Sequence, residues 1–246
     1  MSLFVMADLH LSTNESTNKS MEVFGRRWQD YIEKIRRNWS AVVNENDTVV
    51  IPGDISWAMN IEEALHDLKF IDSLPGRKII AKGNHDFWWS TLTKMKSFFA
   101  EQHISSIDIL HNNALETEDF IICGSRGWFN DESFQNTVGG TTVDYEKIVA
   151  REVIRLSLSL EEGAKLKQLS PQKEILVFLH FPPVYGEFIC REIVDVLQKY
   201  NIKTCFYGHI HGVYYIPRTI KFEGIDFVLT ASDFLNFSPM PIFIEN

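Results

Sequence analysis

Five short apolar runs in this chain end on the same kinds of residue. Leu3–Ala7 runs into Asp8 and His10, and Thr48–Ile51 into Gly53-Asp54. Lys78–Ala81 runs into Gly83-Asn84-His85-Asp86, Glu174–Leu179 into His180, and Lys203–Tyr207 into Gly208-His209-Ile210-His211. Short apolar runs bounded by turn residues read as strands. Each cluster of Asp, Asn and His therefore falls at the carboxyl end of a strand, the sheet edge where loops converge and sites assemble.

The segments between these strands carry helical spacing. Met21, Phe24, Trp28, Tyr31, Ile35, Trp39 and Val42 recur at three and four residues, which predicts one helical face. Asn60 with Glu63 has the form of a capping box and opens a helix through Ile71. Further helices are expected from about Trp88 to Ala100, over Val149–Leu160 with a break at Gly163, and over Ile189–Tyr200. Ile104–Leu110, Phe120–Cys123, Val213–Ile216, Thr219–Phe222 and Ile225–Leu229 read as strands, and Asn130–Thr142 as a polar loop. The order is α/β early and strand-rich late, so the expectation is a layered sheet structure in one domain.

Composition narrows the function. A formal net charge of -9 argues against broad binding to nucleic acid, which needs a basic footprint. The three cysteines, Cys123, Cys190 and Cys205, form no CxxC pair and no even framework, so a reducing compartment is expected. The first residues lack a basic n-region, and no apolar stretch reaches the ~18 residues of a membrane span. A soluble, cytoplasmic protein with no membrane partner is the expectation. The clustered donors are two carboxylates, one amide and four imidazoles with no thiolate. That set suits Mn, Fe or Zn and exceeds what one metal takes from a protein.

In this order the motifs resemble the calcineurin-like metallophosphoesterase family, whose pattern is Asp-x-His, Gly-Asp, Gly-Asn-His-Asp/Glu, a lone His and Gly-His-x-His. They span residues 8 to 211. The resemblance implies a four-layer α-β-β-α sandwich over 1–246, with a specificity insertion or cap at about 104–170. It implies two divalent cations, Mn favoured. Asp8, His10, Asp54 and His211 would hold one; Asp54, Asn84, His180 and His209 would hold the other, with Asp54 bridging. It also implies hydrolysis of a phosphodiester or small phosphate ester by in-line attack of a bridging hydroxide. His85 would serve the leaving oxygen without binding metal, with Asp86 orienting its ring.

Two departures matter. Phosphoprotein phosphatases of the family follow Gly-Asp with an acidic residue and an Arg. Here Ile55-Ser56-Trp57-Ala58 follows, so Arg126, flanked by Gly124 and Gly127, is the candidate phosphate clamp. The family's UDP-diacylglucosamine enzymes carry Arg where this chain has His85. Trp57 is the candidate stacking wall, although most aromatics near the motifs are expected to pack helices onto the sheet. The competing function is a non-catalytic scaffold for a protein partner. Such members lose metal ligands or the catalytic His, and this chain retains both. The pairs Arg26-Arg27 and Arg36-Arg37 read as a solvated helix face.

Overall fold

The computed structural model describes residues 1–14, 17, 19–128 and 145–243. Two sheets face each other. The first holds β1 (Leu3–Val5), β2 (Thr48–Pro52), β3 (Arg77–Ala81) and β4 (Ile107–Ile109), with β13 (Met240–Ile242) at its edge in the order β13-β1-β2-β3-β4. β1 to β4 run parallel, and β13 lies antiparallel to β1. The second holds β5 (Leu115–Glu116), β6 (Phe120–Ser125), β7 (Glu174–Leu179), β10 (Thr204–Tyr207), β11 (Thr219–Phe222) and β12 (Ile225–Leu229), in the order β11-β12-β10-β7-β6-β5. Its four central strands are parallel. A small hairpin of β8 (Val184–Tyr185) and β9 (Phe188–Ile189) lies outside both.

Side chains alternate along each strand, and both faces are covered, which is why the runs are apolar throughout. Leu3, Val5, Val50 and Ile79 meet Ile122, Leu176, Phe178 and Phe206 between the sheets. Phe4, Met6, Val49, Ile51 and Ile80 point the other way. They pack under α1 (Tyr31–Val42), α2 (Leu65–Asp72) and α3 (Leu92–Glu101). Cys123, Val177, Leu179, Cys205 and Tyr207 lie under α4 (Tyr145–Leu169) and α5 (Arg191–Lys199). The result is the α-β-β-α order. The sheets touch at the strand ends, where Ala7 N donates to Thr230 O at 2.8 Å and Ser232 N to Ala7 O at 3.0 Å.

Several sequence expectations are corrected. The face begun at Met21 is two 3-10 turns, Met21–Phe24 and Arg26–Trp28, followed by α1. Gly25 at φ 110° and Asp30 at φ 51° interrupt the helix while its apolar spacing continues. The Asn60–Glu63 pair does not cap a helix: Glu63 N donates to Asn60 Oδ1 at 2.9 Å and Met59 N to Glu63 Oε2 at 3.0 Å around a turn, and α2 opens only at Leu65, with no side-chain cap from Ala64. α4 does not break at Gly163. A Cβ there would lie 2.4 Å from Cys123 Sγ, so the glycine admits β6 against the helix. Val213–Ile216 forms no strand, whereas β13 forms one despite Pro241, as an edge permits. Arg27 is not merely solvated: its Nε donates to Asp233 O at 2.5 Å and its guanidinium covers Tyr214 at 4.1 Å. The segment 104–170 supplies framework in β4, β5, β6 and α4; the loop expected at Asn130–Thr142 falls outside the described residues.

Candidate metal centre

The strand ends of both sheets meet at one place. Asp8 and His10 follow β1, Asp54 follows β2, and Asn84 and His85 follow β3. His180 ends β7, and His209 and His211 follow β10. Asp8, His10, Asp54 and His209 sit at positive φ, between 46° and 69°, so each loop turns sharply and returns its side chain over the sheet edge. The motif glycines make room for the carboxylates. A Cβ on Gly83 would lie 2.1 Å from Asp54 Oδ1, and one on Gly208 would lie 2.4 Å from Asp8 Oδ2.

Two nests of donors result. One is Asp8, His10 and His211, the other Asp54, His180 and His209; within each, the donor atoms lie within 4.8 Å of one another. Asp54 joins the two. Its Oδ2 is 3.5 Å from His180 Nε2 and 3.7 Å from His10 Nε2. Asn84 Oδ1 stands 2.6 Å from His180 Nε2, which brings the amide to the second nest. The ring nitrogens turned away from the centre are held from behind. His180 Nδ1 is 3.2 Å from Pro52 O and His211 Nδ1 is 2.8 Å from Asp233 Oδ1. Such outer bonds fix the tautomer and leave Nε2 free to bind a metal.

The electrostatics fit a pair of cations. Burial raises the pKa of Asp8, and burial with neighbouring Asp86 and Asp8 raises that of Asp54 well above normal. Burial lowers His10 and His180 well below normal, and burial with His211 and His85 takes His209 to about 3. Burial also works against His211, but Asp8 and Asp233 outweigh it and raise it to about 10. Among the described residues, the side chains within ion-pair distance of Asp8 and Asp54 are imidazoles, with no Lys or Arg among them. His10 Nε2 and His211 Nε2 face each other at 3.2 Å. Buried carboxylates faced only by imidazoles, and imidazole nitrogens turned on one another, are what divalent cations relieve.

The remaining sequence candidates take distinct places. His85 is 36% exposed; its backbone N donates to Asp54 Oδ1 at 2.8 Å, and its Nε2 is 3.9 Å from Asp54 Oδ2. Burial, then His211 and Lys19, lower its pKa to about 4. Trp57 packs on His10 with ring centres 5.0 Å apart and on His85 at 4.4 Å, with Lys19 over its ring. Asp86 does not meet the His85 ring. Its buried carboxylate accepts from Gly83 N at 2.8 Å, Ile55 N at 2.9 Å, Ser56 N at 3.2 Å and Trp88 Nε1 at 2.9 Å, tying the β2 and β3 loops together. Arg126 lies outside both nests, while its carbonyl accepts from His180 N at 3.1 Å. Asp233 was missed. It is buried, and accepts from Gly212 N at 3.0 Å and Tyr214 Oη at 3.1 Å besides His211. Its signal was another acid just past an apolar strand, β12.

Fold and donor sets together define a candidate dinuclear metal centre at the mouth of a double sheet. The chain belongs to the calcineurin-like phosphoesterase family, whose sequence model matches residues 1–213. It is 36% identical over 84 residues to the Gene 66 protein of Mycobacterium phage L5, a match covering 32% of this chain and only 37% of that one. Two solved structures share the fold. Phosphopantetheinyl hydrolase from Mycobacterium tuberculosis aligns with TM-score 0.53 and 14% identity, over 99% of this chain and 96% of that one. The protein TT1561 of Thermus thermophilus aligns with TM-score 0.56 and 8% identity, over 99% and 98%. No helix among the described residues is long and apolar enough to cross a membrane.

Proposed function

We propose that this chain is a metal-dependent phosphohydrolase acting on a phosphodiester or a small phosphate ester. The observation that carries the proposal is the pairing of two largely buried donor nests across Asp54. Asp8, His10, Asp54 and His211 would hold one cation, and Asp54, Asn84, His180 and His209 the other. The donors suit Mn, Fe or Zn, and Mn is our choice. When bound, such cations supply Lewis acidity toward phosphoryl oxygens and lower the pKa of water toward neutrality.

The chain's own residues position and protonate. Asp233 and Pro52 O fix the His211 and His180 rings. Trp57 walls His10 and His85 and keeps water from one side of them. Burial, with the charges of His211 and Lys19, holds the His85 imidazole toward its neutral form. A phosphoryl anion beside it favours the imidazolium, which can then give its proton to the leaving oxygen. Asp86 acts on His85 only through the backbone of the loop it holds. We place the whole of 1–246 in one domain, with 104–170 contributing specificity by bringing Arg126 beside the site. Three buried, unpaired thiols accord with a cytoplasmic setting.

The test is turnover of an aryl phosphodiester and the matching monoester by Mn-loaded protein, with Asp54→Asn as control. Turnover of either, lost in the variant, supports the proposal. Equal turnover in the variant, or none on either ester with both cations bound, contradicts it.

A further inference from the structure

Beside the centre lies a cavity of about 450 Å³, and none of its lining residues belongs to the donor nests. Lys82, Arg126 and Arg155 enter it from three elements: the loop after β3, the end of β6 and the middle of α4. The one carboxylate among its lining residues is Glu152. That carboxylate is 1% exposed, and its Oε1 alone takes both guanidiniums, Arg155 Nη1 at 2.5 Å and Arg126 Nη2 at 3.7 Å. Its Oε2 and Arg126 Nε are buried without a hydrogen-bond partner. Lys82 has no hydrogen bond or ion pair among the described residues. Three cations thus face one acid, an excess of positive charge in a chain of net charge -9.

Structural roles leave part of this unexplained. One arginine suffices to neutralise Glu152, and a buried ion pair seldom adds stability. The Arg126 guanidinium stacks on Trp128 at 4.4 Å but keeps an idle Nε, and with the Lys82 ammonium, unpaired among the described residues, it points to an anion with several oxygens, which guanidinium groups bind in a fork. Asn112, Ser125 and Thr91 add neutral polar groups to the same wall. The cavity adjoins the centre through the chain. Lys82 immediately precedes the Gly83-Asn84 loop, the Arg126 carbonyl holds His180 N, and Asp54 lies close enough to stabilise the Arg126 charge.

We infer that this cavity binds a second phosphoryl group, so that the substrate carries one phosphoryl group at the metal centre and another on the part of the molecule seated between Arg126 and Arg155. The substrate class rests on the phosphohydrolase reading above; the anion site does not. The same oxygens could be presented by free phosphate, and two measurements separate the sources.

The first is calorimetric titration of the metal-free full chain with inorganic phosphate at low ionic strength. The expected result is a single site whose Kd rises at least tenfold in Arg155→Gln and again in Lys82→Met, with melting temperatures confirming that both variants fold. Absence of binding, or binding unchanged in both variants, overturns the site. The second uses Mn-loaded protein and two aryl phosphodiesters, one whose alkyl arm ends in a phosphate and one whose arm ends in a hydroxyl. The expected kcat/KM ratio is at least thirtyfold in favour of the phosphate arm, collapsing toward unity in Arg155→Gln. A ratio near unity in the unaltered chain, with phosphate binding intact, overturns the substrate class and leaves a site for free phosphate. Loss of turnover on both esters with phosphate binding intact is a failure of the phosphohydrolase reading alone.

Discussion

Replacing Asp86 by Ala removes four acceptor contacts at once: those to Gly83 N, Ile55 N, Ser56 N and Trp88 Nε1, all between 2.8 and 3.2 Å. Bonds to a charged acceptor contribute about 1.5–3 kcal/mol each, so the gross loss is about 6–12 kcal/mol. Relief from burying a carboxylate returns several kcal/mol of this. The expected net destabilisation is about 3–5 kcal/mol, the range for stranding buried partners of a charge. For a chain of this size that is roughly 6–20 °C in Tm. Asp86→Asn should cost less, about 1–3 kcal/mol, because Oδ1 serves three of the four donors and only the Oδ2 contact to Gly83 N is lost. Both variants should also bind metal more weakly, since the tied loops carry Asp54 and Asn84. Urea denaturation and calorimetric Mn titration measure the two effects. An Asp86→Ala variant within about 1 kcal/mol of the parent, with unaltered metal affinity, would refute the reasoning.

Asp233→Asn should lower metal affinity about 10–100-fold, because an amide no longer fixes the His211 tautomer; the same titration reads this, and an unchanged affinity would contradict it. Lys78→Met should destabilise by about 2–4 kcal/mol in urea, since the buried Lys78 ammonium donates to Leu74 O and Gly76 O just beyond α2. Burial pushes the Cys123 and Cys190 thiols to about 12, and Cys205 higher. With thiolate scarce until well above neutral pH, the folded chain should resist an aromatic disulfide reagent at about pH 8, and rapid labelling of any of the three would show that the core opens.

The centre was legible because strands buried on both faces leave apolar runs that stop abruptly where the chain reaches the sheet edge. Asp8, Asp54, His180 and His209 are all marked by such a stop. Asp233 follows the same rule, but its neighbours Ser232 and Phe234 belong to no motif, and its role depends on His211 lying opposite. Periodicity could not reveal the break before α1, since Met21 and Trp28 before it and Tyr31, Ile35 and Trp39 after it pack on one core, although Phe24 is exposed. Nor could it show why α4 passes Gly163 unbroken, because the reason is Cys123 on a distant strand. The work of Asp86 was hidden for a similar reason. Adjacency to His85 suggested a side-chain contact, whereas three of its four donors are backbone amides brought together by two loops.

The central claim is that Asp54 joins two cation sites. Metal content per chain after loading with Mn and desalting tests it directly, measured on the unaltered protein and on Asp54→Asn. The account predicts two ions per chain, falling below two in the variant while the fold is kept. One ion or none in the unaltered chain, or two retained without the Asp54 carboxylate, would contradict it.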